Sequence, residues 1–368
     1  MSAGTCRWGI LGTAGIARKN WKAIRLSGNA TLTAVASRNE MSAQKFIDEC
    51  SSQVPFETKP ATVGSYEALL ARKDIDAVYI PLPTALRREW VIKAAEAGKH
   101  VLGEKPAALN AVEVAEMLDA CTRNKVQYMD GVMFMHSQRL PMVRSIVDDA
   151  SQLGQLRRLV SQFSFAGDET FQSSNIRTSS ELEPYGCLGD LGWYCTRFFL
   201  WILNGQMPTE VRARTLTQLK GTNSPASVPG EFSAELTFND GVSASFYCSF
   251  LTENQQWIHA SGSAGYMRLN DFVLPFHGAE LEVLVGKDKF AVDNCVFNME
   301  NHLQRFAVQE YSSGAENAQE VRMIREFSSL VNNGKIDSQW PTWTLKTQQV
   351  LDACFQSAAN NGQAVMLG

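Results

Sequence analysis

The sequence predicts an α/β fold, in which a doubly wound parallel sheet of the Rossmann type precedes an α+β domain. Three observations lead to this class. Short apolar strands alternate with helices up to about residue 133. Beyond residue 134 the segments alternate polar and apolar residues, which is typical of antiparallel strands. A chain of 368 residues exceeds the usual single domain. We therefore expect domains at 1–133 and 134–368.

A glycine-containing turn follows the first predicted strand. Arg7–Leu11 is an apolar run that ends at Gly12, and Arg18–Leu26 is predicted to be helical. A strand that turns directly into a helix exposes the first helical N–H groups, which can seat a pyrophosphate. The dinucleotide fingerprint has a glycine where this chain has Ala14, which is tolerated only with a negative φ. An ordinary turn is the alternative. The predicted cofactor contacts here are Gly12, Thr13, Ala14, Gly15 and Ile16.

The end of the second strand bears on which cofactor is bound. Ala30–Ser37 is predicted to be a strand, and Ser37-Arg38 stands where NAD enzymes place an acidic residue for the ribose. A carboxylate would repel a 2′-phosphate, whereas a guanidinium can pair with it through two hydrogen bonds. Ser37 and Arg38 therefore favour NADP(H) over NAD(H). A solvated surface arginine is the alternative.

Two further strands end in loops that are suited to a ligand. Ala77–Ile80 runs into Pro81, Leu82 and Pro83, and His100–Leu102 runs into Glu104 and Lys105. Prolines fix a loop that can form a wall against a flat ring. Ligands bind at the carboxyl ends of parallel strands, so these five residues are predicted cofactor contacts. The Lys105 amine can stabilise developing alkoxide charge. A surface salt bridge with Glu104 is the alternative.

In the second domain, Gly186–Tyr194 carries the acid–base candidates. A helix that begins near Leu188 would place Asp190 and Tyr194 on one face, since they are four residues apart. A carboxylate, a phenol and the Lys105 amine would form a set that can move protons. The alternative is that Asp190 caps the helix and Tyr194 belongs to the core.

Other segments of the chain yield structural predictions. Asn110 is the expected N-cap of a helix, and Asn239–Gly241 is a hairpin turn signal. Thr215–Pro229 is rich in Gly, Ser, Thr and Pro and is predicted to be an exposed loop. A last helix is expected over 342–360.

Composition excludes several classes of protein. The net charge of −4 gives no basic excess for nucleic acid, and no apolar run reaches the roughly 20 residues of a membrane helix. Met1–Cys6 is too short for a leader peptide ahead of the first strand. The 8 cysteines are scattered without a C-x-x-C pair, so we expect no metal site and reduced thiols in a cytoplasmic protein.

Four segments together resemble one enzyme family over nearly the whole chain. They are GILGTAGIARK (9–19), VASR (35–38), VYIPLPTALRREWVIKAAEAGKHVLGEKP (78–106) and GCLGDLGWY (186–194). The chain resembles the Gfo/Idh/MocA oxidoreductases. The resemblance implies a Rossmann domain and a second domain with a large, mostly antiparallel, open-faced sheet that often forms a dimer interface. It also implies hydride transfer between C4 of the nicotinamide and a secondary alcohol or hemiacetal carbon.

The resemblance assigns roles to individual residues. Lys105 matches the lysine of the family's EKP tripeptide, and Asp190 matches its second-domain carboxylate. Tyr194 stands where many members have a catalytic His. A tyrosine at this position resembles the branch that contains glucose-fructose oxidoreductase, dihydrodiol dehydrogenase and NADP-linked xylose dehydrogenases. Two residues depart from the family pattern: Ala14 replaces a glycine, and Arg87 replaces a common His. The predicted substrate contacts are Asp190, Trp193 and His136, with a structural histidine as the alternative for His136.

These predictions combine into one functional hypothesis. We expect an NADP-dependent oxidoreductase that acts on a sugar, polyol or cyclic diol, with Lys105, Tyr194 and Asp190 as catalytic residues. A homodimer formed through the second-domain sheet is expected as well. Two alternatives remain open: redox-neutral chemistry with a tightly held cofactor, and a cofactor-bound sensor without turnover.

Overall fold

The computed structural model of the protein describes residues 4–367. Residues 1–3, part of the segment judged too short for a leader, lie outside it, as does residue 368. The described helices are α1 (Gly15–Leu26), α2 (Glu40–Gln53), α3 (Tyr66–Leu70), α4 (Thr84–Glu96), α5 (Ala111–Arg123), α6 (Arg139–Asp148), α7 (Glu169–Ser174), α8 (Trp193–Ile202), α9 (Gln319–Asn332) and α10 (Gln339–Ala359). None of the helices within 4–367 is long and apolar enough to cross a membrane.

The strands form two large sheets and one small one. They are β1 (Cys6–Leu11), β2 (Ala30–Ala36), β3 (Ala61–Val63), β4 (Ala77–Ile80), β5 (His100–Gly103), β6 (Tyr128–Asp130), β7 (Leu156–Ala166), β8 (Glu210–Leu219), β9 (Val228–Thr237), β10 (Ser243–Ser249), β11 (Leu251–Gly262), β12 (Tyr266–Leu269), β13 (Glu280–Gly286), β14 (Lys289–Asp293), β15 (Val296–Glu300), β16 (Leu303–Gln309) and β17 (Val365–Met366).

The chain divides into two compact units that are discontinuous in sequence. The first comprises Met1–His136, Glu181–Pro184 and Ser313–Gln349, and the second comprises Ser137–Ser180, Tyr185–Ser312 and Val350–Gly368. The predicted domain division at 133/134 stays a prediction. The first unit includes α9 because this helix completes its core. The rings of Trp8 and Phe327 lie 5.1 Å apart, and the Trp8 indole N–H donates to Ser328 Oγ at 3.0 Å.

The first unit contains the predicted doubly wound parallel sheet. Its strand order is β3-β2-β1-β4-β5-β6, and all the pairings are parallel. Strand β3 is too short to have given a sequence signal. Asn110 caps α5 as predicted, since its side chain accepts from Glu113 N. The four loops predicted to bind a ligand follow β1, β2, β4 and β5. Because these four strands are neighbours, the loops line one continuous edge of the sheet.

The second unit contains the predicted large, mostly antiparallel sheet. Nine strands are ordered β16-β13-β12-β11-β7-β10-β9-β8-β17, and within the described residues only the β10–β7 pair is parallel. The turn at Asn239–Gly241 joins β9 to β10 as predicted, with positive φ at Asp240 and Gly241. The predicted loop at Thr215–Pro229 is confirmed for residues 220–227 and wrong at both ends. Strand β8 continues to Leu219 and β9 begins at Val228, because the β-branched threonines of this segment suit a strand.

A half-buried histidine, His100, makes the stability of the first unit depend on pH. Burial lowers the pKa of His100 from its usual 6.5, and His100 Nδ1 accepts a hydrogen bond from Gln127 N at 2.9 Å. In the unfolded chain His100 binds a proton near pH 6.5, whereas in the folded chain it binds one only at a lower pH. The free energy of unfolding therefore falls as the pH drops below about 6.5.

Between about pH 7.5 and pH 5.5, we expect the free energy of unfolding to fall by about 1 kcal/mol less in His100→Gln than in the wild type, as measured by urea unfolding. The exposed His302 provides a matched control, and His302→Gln is expected to keep the wild-type pH dependence. A His100→Gln curve parallel to that of the wild type would contradict the assignment.

Candidate active site

The first ligand-facing loop is the glycine turn after β1. Gly12 has φ of +108°, and a Cβ there would lie 3.1 Å from Leu82 Cδ2, so the position requires glycine. Ala14 has φ of −62°, which meets the condition for an alanine in the fingerprint. Helix α1 begins at Gly15 without a side-chain cap, and a Cβ on Gly15 would meet nothing within 4 Å. Open space before an uncapped helix N-terminus fits a pyrophosphate.

The second loop borders a cavity of about 570 Å³. Arg38 is exposed at its wall beside Tyr66, whose pKa is raised by burial and lowered by the neighbouring guanidinium. The ring of Trp90 meets that of Tyr66 edge to face at 4.8 Å, and Leu82 and Pro83 also line the cavity. Aromatic rings beside an exposed guanidinium fit a purine nucleotide that carries an extra phosphate.

The third and fourth loops follow β4 and β5. The Glu104 carboxylate is buried, and its two oxygens accept from Tyr79 OH at 2.6 Å and Lys105 N at 3.2 Å. Burial raises the pKa of Glu104, while the Tyr79 hydrogen bond lowers it. The Lys105 charge also lowers the pKa of this carboxyl, so a salt bridge between Glu104 and Lys105 stays an alternative. Lys105 itself is half-buried. The contacts of Pro81–Pro83, Glu104 and Lys105 with a cofactor stay predictions.

One buried arginine holds the last two loops together. Arg87 is only 3% exposed. Its Nε donates to the Leu82 carbonyl oxygen at 2.8 Å, and its Nη1 donates to the Glu104 carbonyl oxygen at 2.8 Å. A single rigid guanidinium therefore fixes the spacing between the two loops. The sequence marked Arg87 as a departure from the family pattern but gave no sign of this role.

Glu183 is a second functional residue that the sequence did not reveal. Its carboxylate accepts from Thr84 N at 2.9 Å and from Thr84 Oγ1 at 2.5 Å, and lies 4.0 Å from Arg87 Nη2. The N-cap of α4 is Pro83, which has no side-chain acceptor, so Glu183 caps this helix from elsewhere in the chain. No local motif could have found a partner 99 residues away. We call Arg87 and Glu183 the loop clamp.

The second unit presents the other predicted catalytic residues. The helix begins at Leu188 as predicted, but Leu188–Gly192 forms a wider π-helical turn before α8. Gly186 precedes it with φ of +47°, and a Cβ there would lie 2.2 Å from the Pro229 carbonyl oxygen. Single π turns are frequent at functional sites. Here the turn carries Asp190.

Asp190 is held by an arginine that the sequence did not suggest. Its Oδ2 lies 2.7 Å from Nε of Arg177, which sits in the short 3₁₀ turn Ile176–Thr178. The N-cap positions of the π turn and of α8 are Cys187 and Gly192, so Asp190 stands at neither of them. Tyr194 is half-buried, and its ring contacts Phe163 at 5.6 Å. That Lys105, Asp190 and Tyr194 act on one substrate stays a prediction.

The two aromatic residues predicted to contact substrate are buried. Trp193 is fully buried, and the Arg197 guanidinium lies over its ring. The His136 ring stacks on Trp340 at 4.6 Å, and its Nδ1 lies 2.8 Å from Glu326 Oε2. These contacts are structural, and a substrate contact by either residue stays a prediction.

Two models of protein domains match most of the chain. Residues 6–132 match the model of an oxidoreductase family with an NAD-binding Rossmann fold, and residues 142–268 match the GFO/IDH/MocA C-terminal domain. The chain belongs to this family. The match spans both the glycine turn and the π turn that carries Asp190.

Relatives of known activity resemble the whole chain. A D-xylose 1-dehydrogenase (NADP⁺) of Haloferax volcanii is 30% identical, covering 98% of this chain and 99% of its own. A trans-1,2-dihydrobenzene-1,2-diol dehydrogenase of Mus musculus is 26% identical over 81% of this chain and 87% of its own. The structure of a 3-ketoreductase from Actinomadura kijaniata with NADP and TDP-benzene has a TM-score of 0.79. It is 25% identical, and the match covers 96% of this chain and 98% of that one.

The loop clamp predicts a large stability cost for one substitution. Arg87→Met would leave two buried carbonyl oxygens without donors and remove a charge partner of Glu183. We expect the free energy of unfolding to fall by about 3 kcal/mol in urea denaturation. Its neighbour Arg88 is 44% exposed and pairs with Glu116 on the surface. Arg88→Met should cost less than about 1 kcal/mol. Equal losses in the two variants would contradict the clamp.

Proposed function

We propose that this protein is an NADP-dependent oxidoreductase that acts on a sugar, polyol or cyclic diol. The observation that carries this proposal is the edge of the first sheet, where the glycine turn, the Arg38 cavity and the Lys105 loop follow neighbouring strands. The activities named for the relatives support a secondary alcohol or hemiacetal carbon as the reacting centre.

The chain offers a binding group for each part of NADP(H). The turn of Gly12, Thr13, Ala14, Gly15 and Ile16 would hold the pyrophosphate, and Ser37 and Arg38 would hold the 2′-phosphate. The loops of Pro81–Pro83 and of Glu104 and Lys105, spaced by the clamp, would border the nicotinamide. When bound, the cofactor supplies the group that accepts or donates the hydride.

The catalytic roles follow from the chemistry of three side chains. The Lys105 ammonium would donate a hydrogen bond to the substrate oxygen and stabilise negative charge on it. Tyr194 would take the hydroxyl proton as the phenolate during oxidation, and as the phenol it would return that proton during reduction. Asp190, oriented by Arg177, would hold the substrate hydroxyl or a water molecule. Contacts of Trp193 and His136 with substrate belong to the same proposal.

Two other functions compete with this one. Redox-neutral chemistry needs a cofactor that stays bound, so loss of NADP(H) on dialysis would favour the dehydrogenase. A sensor has no need of an amine, a carboxylate and a phenol suited to proton transfer, and the presence of Lys105, Asp190 and Tyr194 favours an enzyme.

We also infer the setting in which the protein works. All eight cysteines are free, and Cys295 alone among them is exposed. Free thiols of this kind are typical of a reducing compartment, which supports a cytoplasmic location. We propose a homodimer through the open face of the second-unit sheet, and a small molecule rather than nucleic acid or membrane as the substrate.

Removal of the Lys105 amine tests the catalytic assignment. We expect Lys105→Ala and Lys105→Met to lose at least about 10²-fold in kcat while NADPH binding, followed by fluorescence titration, stays within about threefold. The exposed Lys73 is a matched control, and Lys73→Ala should retain activity. A screen of aldoses, inositols, anhydro-sugars and trans-diols with NADP⁺ supplies the substrate. Full activity in either Lys105 variant would remove this residue from the mechanism.

Arg38 provides the test of cofactor preference. A charged hydrogen-bonded pair contributes about 1.5–3 kcal/mol, so Arg38→Ala should lower the NADP⁺/NAD⁺ ratio of kcat/KM by about 10- to 100-fold. The control Lys45→Ala removes an exposed charge from α2 and should leave this ratio unchanged. A wild-type preference for NAD⁺ would refute the assignment.

A further inference from the structure

The segment between β7 and the π turn carries Arg177 on a tightly bonded piece of backbone. We call its residues 167–180 the strap, which contains α7 and the 3₁₀ turn Ile176–Thr178. The N-cap of this turn is Asn175, whose side chain accepts a hydrogen bond from Arg177 N at 3.1 Å. At the end of the turn Thr178 is fully buried, and its Oγ1 donates to the Asn175 carbonyl oxygen at 2.8 Å. Local hydrogen bonds therefore fix the backbone on both sides of Arg177.

The loop between β8 and β9 fastens the strap from outside. Gly221 N donates to the Thr178 carbonyl oxygen at 3.1 Å, and Thr222 N donates to the Ser173 carbonyl oxygen at 2.7 Å. A Cβ on Gly221 would lie 2.8 Å from Thr178 Oγ1 and 3.1 Å from the carbonyl oxygen of the same residue, so this close approach depends on a glycine. Arg177 is thus presented from a segment that two parts of the unit hold in place.

The Arg177 guanidinium and the Asp190 carboxylate form an ion pair of unequal exposure. Arg177 Nε lies 2.7 Å from Asp190 Oδ2, and the two side chains are 40% and 11% exposed, respectively. A carboxylate that is nearly buried needs such a partner. A guanidinium is a planar set of several N–H donors, and a carboxylate offers several acceptor positions. The pair can therefore hold a ligand at its exposed end while the two groups hold each other.

Tyr194 stands about one helical turn after Asp190. The π turn Leu188–Gly192 runs directly into α8, so the two residues belong to one continuous helical segment. Side chains at this spacing lie on the same side of an α-helix, and the wider π turn changes their direction only slightly. The phenol and the ion pair therefore neighbour each other along one face. Two oxygen atoms on adjacent carbons of one substrate suit such a pair of neighbouring positions.

We propose that Arg177 selects substrates that carry a second hydroxyl on the carbon next to the reacting one. This role rests on the proposed function, in which Tyr194 takes the proton of the reacting hydroxyl. Arg177 would donate a hydrogen bond to the neighbouring hydroxyl, and Asp190 would accept one from it. A hydroxyl can donate and accept at once, so it fits a donor and an acceptor that lie side by side. The substrate class is then a vicinal diol, either within a sugar ring or on a carbocycle.

The charge of the pair favours a neutral hydroxyl over an anionic group at this position. A carboxylate or phosphate would gain an attraction to Arg177 but would be repelled by Asp190 at the same distance. An isolated alcohol would leave the pair to water and would gain nothing from it. Arg177 is accordingly a specificity-determining residue, whose contribution disappears when the substrate lacks the second hydroxyl.

The test compares a diol with the same molecule after removal of the neighbouring hydroxyl. The most active substrate of the screen described above is paired with its deoxy analogue, for example D-glucose with 2-deoxy-D-glucose or trans-cyclohexane-1,2-diol with cyclohexanol. We expect the ratio of kcat/KM for diol over deoxy analogue to be at least about tenfold smaller in Arg177→Met than in the wild type, because a hydrogen bond from a charged donor is lost. Comparing ratios cancels differences in the intrinsic reactivity of the two substrates.

A matched control removes a similar ion pair from the same unit. Arg212 is 58% exposed, and its Nε lies 2.6 Å from Glu210 Oε1. Arg212→Met should keep the wild-type ratio. Arg177→Lys keeps the charge with fewer donors, and its ratio should fall between those of the wild type and Arg177→Met. The melting temperature of each variant shows whether it is folded.

The outcomes separate this role from the proposed function. A wild-type enzyme that oxidises alcohols but does not prefer diols would overturn the role of Arg177 without any variant. A folded Arg177→Met that keeps the wild-type ratio would overturn it as well. Absence of turnover with NADP⁺ or NAD⁺ for every alcohol of the screen would contradict the proposed function itself, and this role with it.

Discussion

The geometry of the candidate cofactor site depends on the Arg87 guanidinium. Loops that follow parallel strands carry carbonyl oxygens that lack strand partners, and such groups need donors when they are buried. Arg87 donates to one carbonyl oxygen in each of two loops, those of Leu82 and Glu104. Since its fork of donors is planar and rigid, the two loops cannot move apart independently. The wall after β4 and the amine after β5 are in this way parts of one rigid body.

The two carboxylates beneath these loops are both supplied with hydrogen-bond donors. Glu104 and Glu183 are both buried, and each would be costly there alone. Tyr79 and a backbone N–H donate hydrogen bonds to Glu104. Thr84 donates to Glu183, and Arg87 pairs with Glu183 by charge. Burial still raises the pKa of Glu104, so desolvation outweighs its hydrogen bonds. The positive N-terminus of α4 adds to the support of Glu183. The positions of the loops thus depend on buried, hydrogen-bonded carboxylates rather than on solvent-exposed residues.

Elements that a short run of neighbouring residues defines could be predicted from the sequence. Ala77–Ile80 has the predicted bounds, because a short apolar segment with clear flanks defines it. The edge that carries Gly12, Arg38 and Lys105 follows from strand order. The loop clamp and the Arg177–Asp190 pair could not be predicted, because each joins residues that lie apart in the chain without a motif. The two ends of Thr215–Pro229 were predicted wrongly because their composition suggested a loop, whereas pairing with neighbouring strands decides whether such segments are strands.

The packing of α9 on the first sheet has a consequence for how the protein is made. Trp8 lies in β1, and its hydrogen-bond partner Ser328 comes 320 residues later in the chain. Val321, Ile324 and Phe327 belong to the same apolar cluster as Trp8 and Trp21. During synthesis the surface of the first sheet that carries Trp8 therefore stays uncovered until α9 has left the ribosome. Chaperones that shield apolar surfaces would act in this interval, and truncation before α9 would leave that surface permanently open.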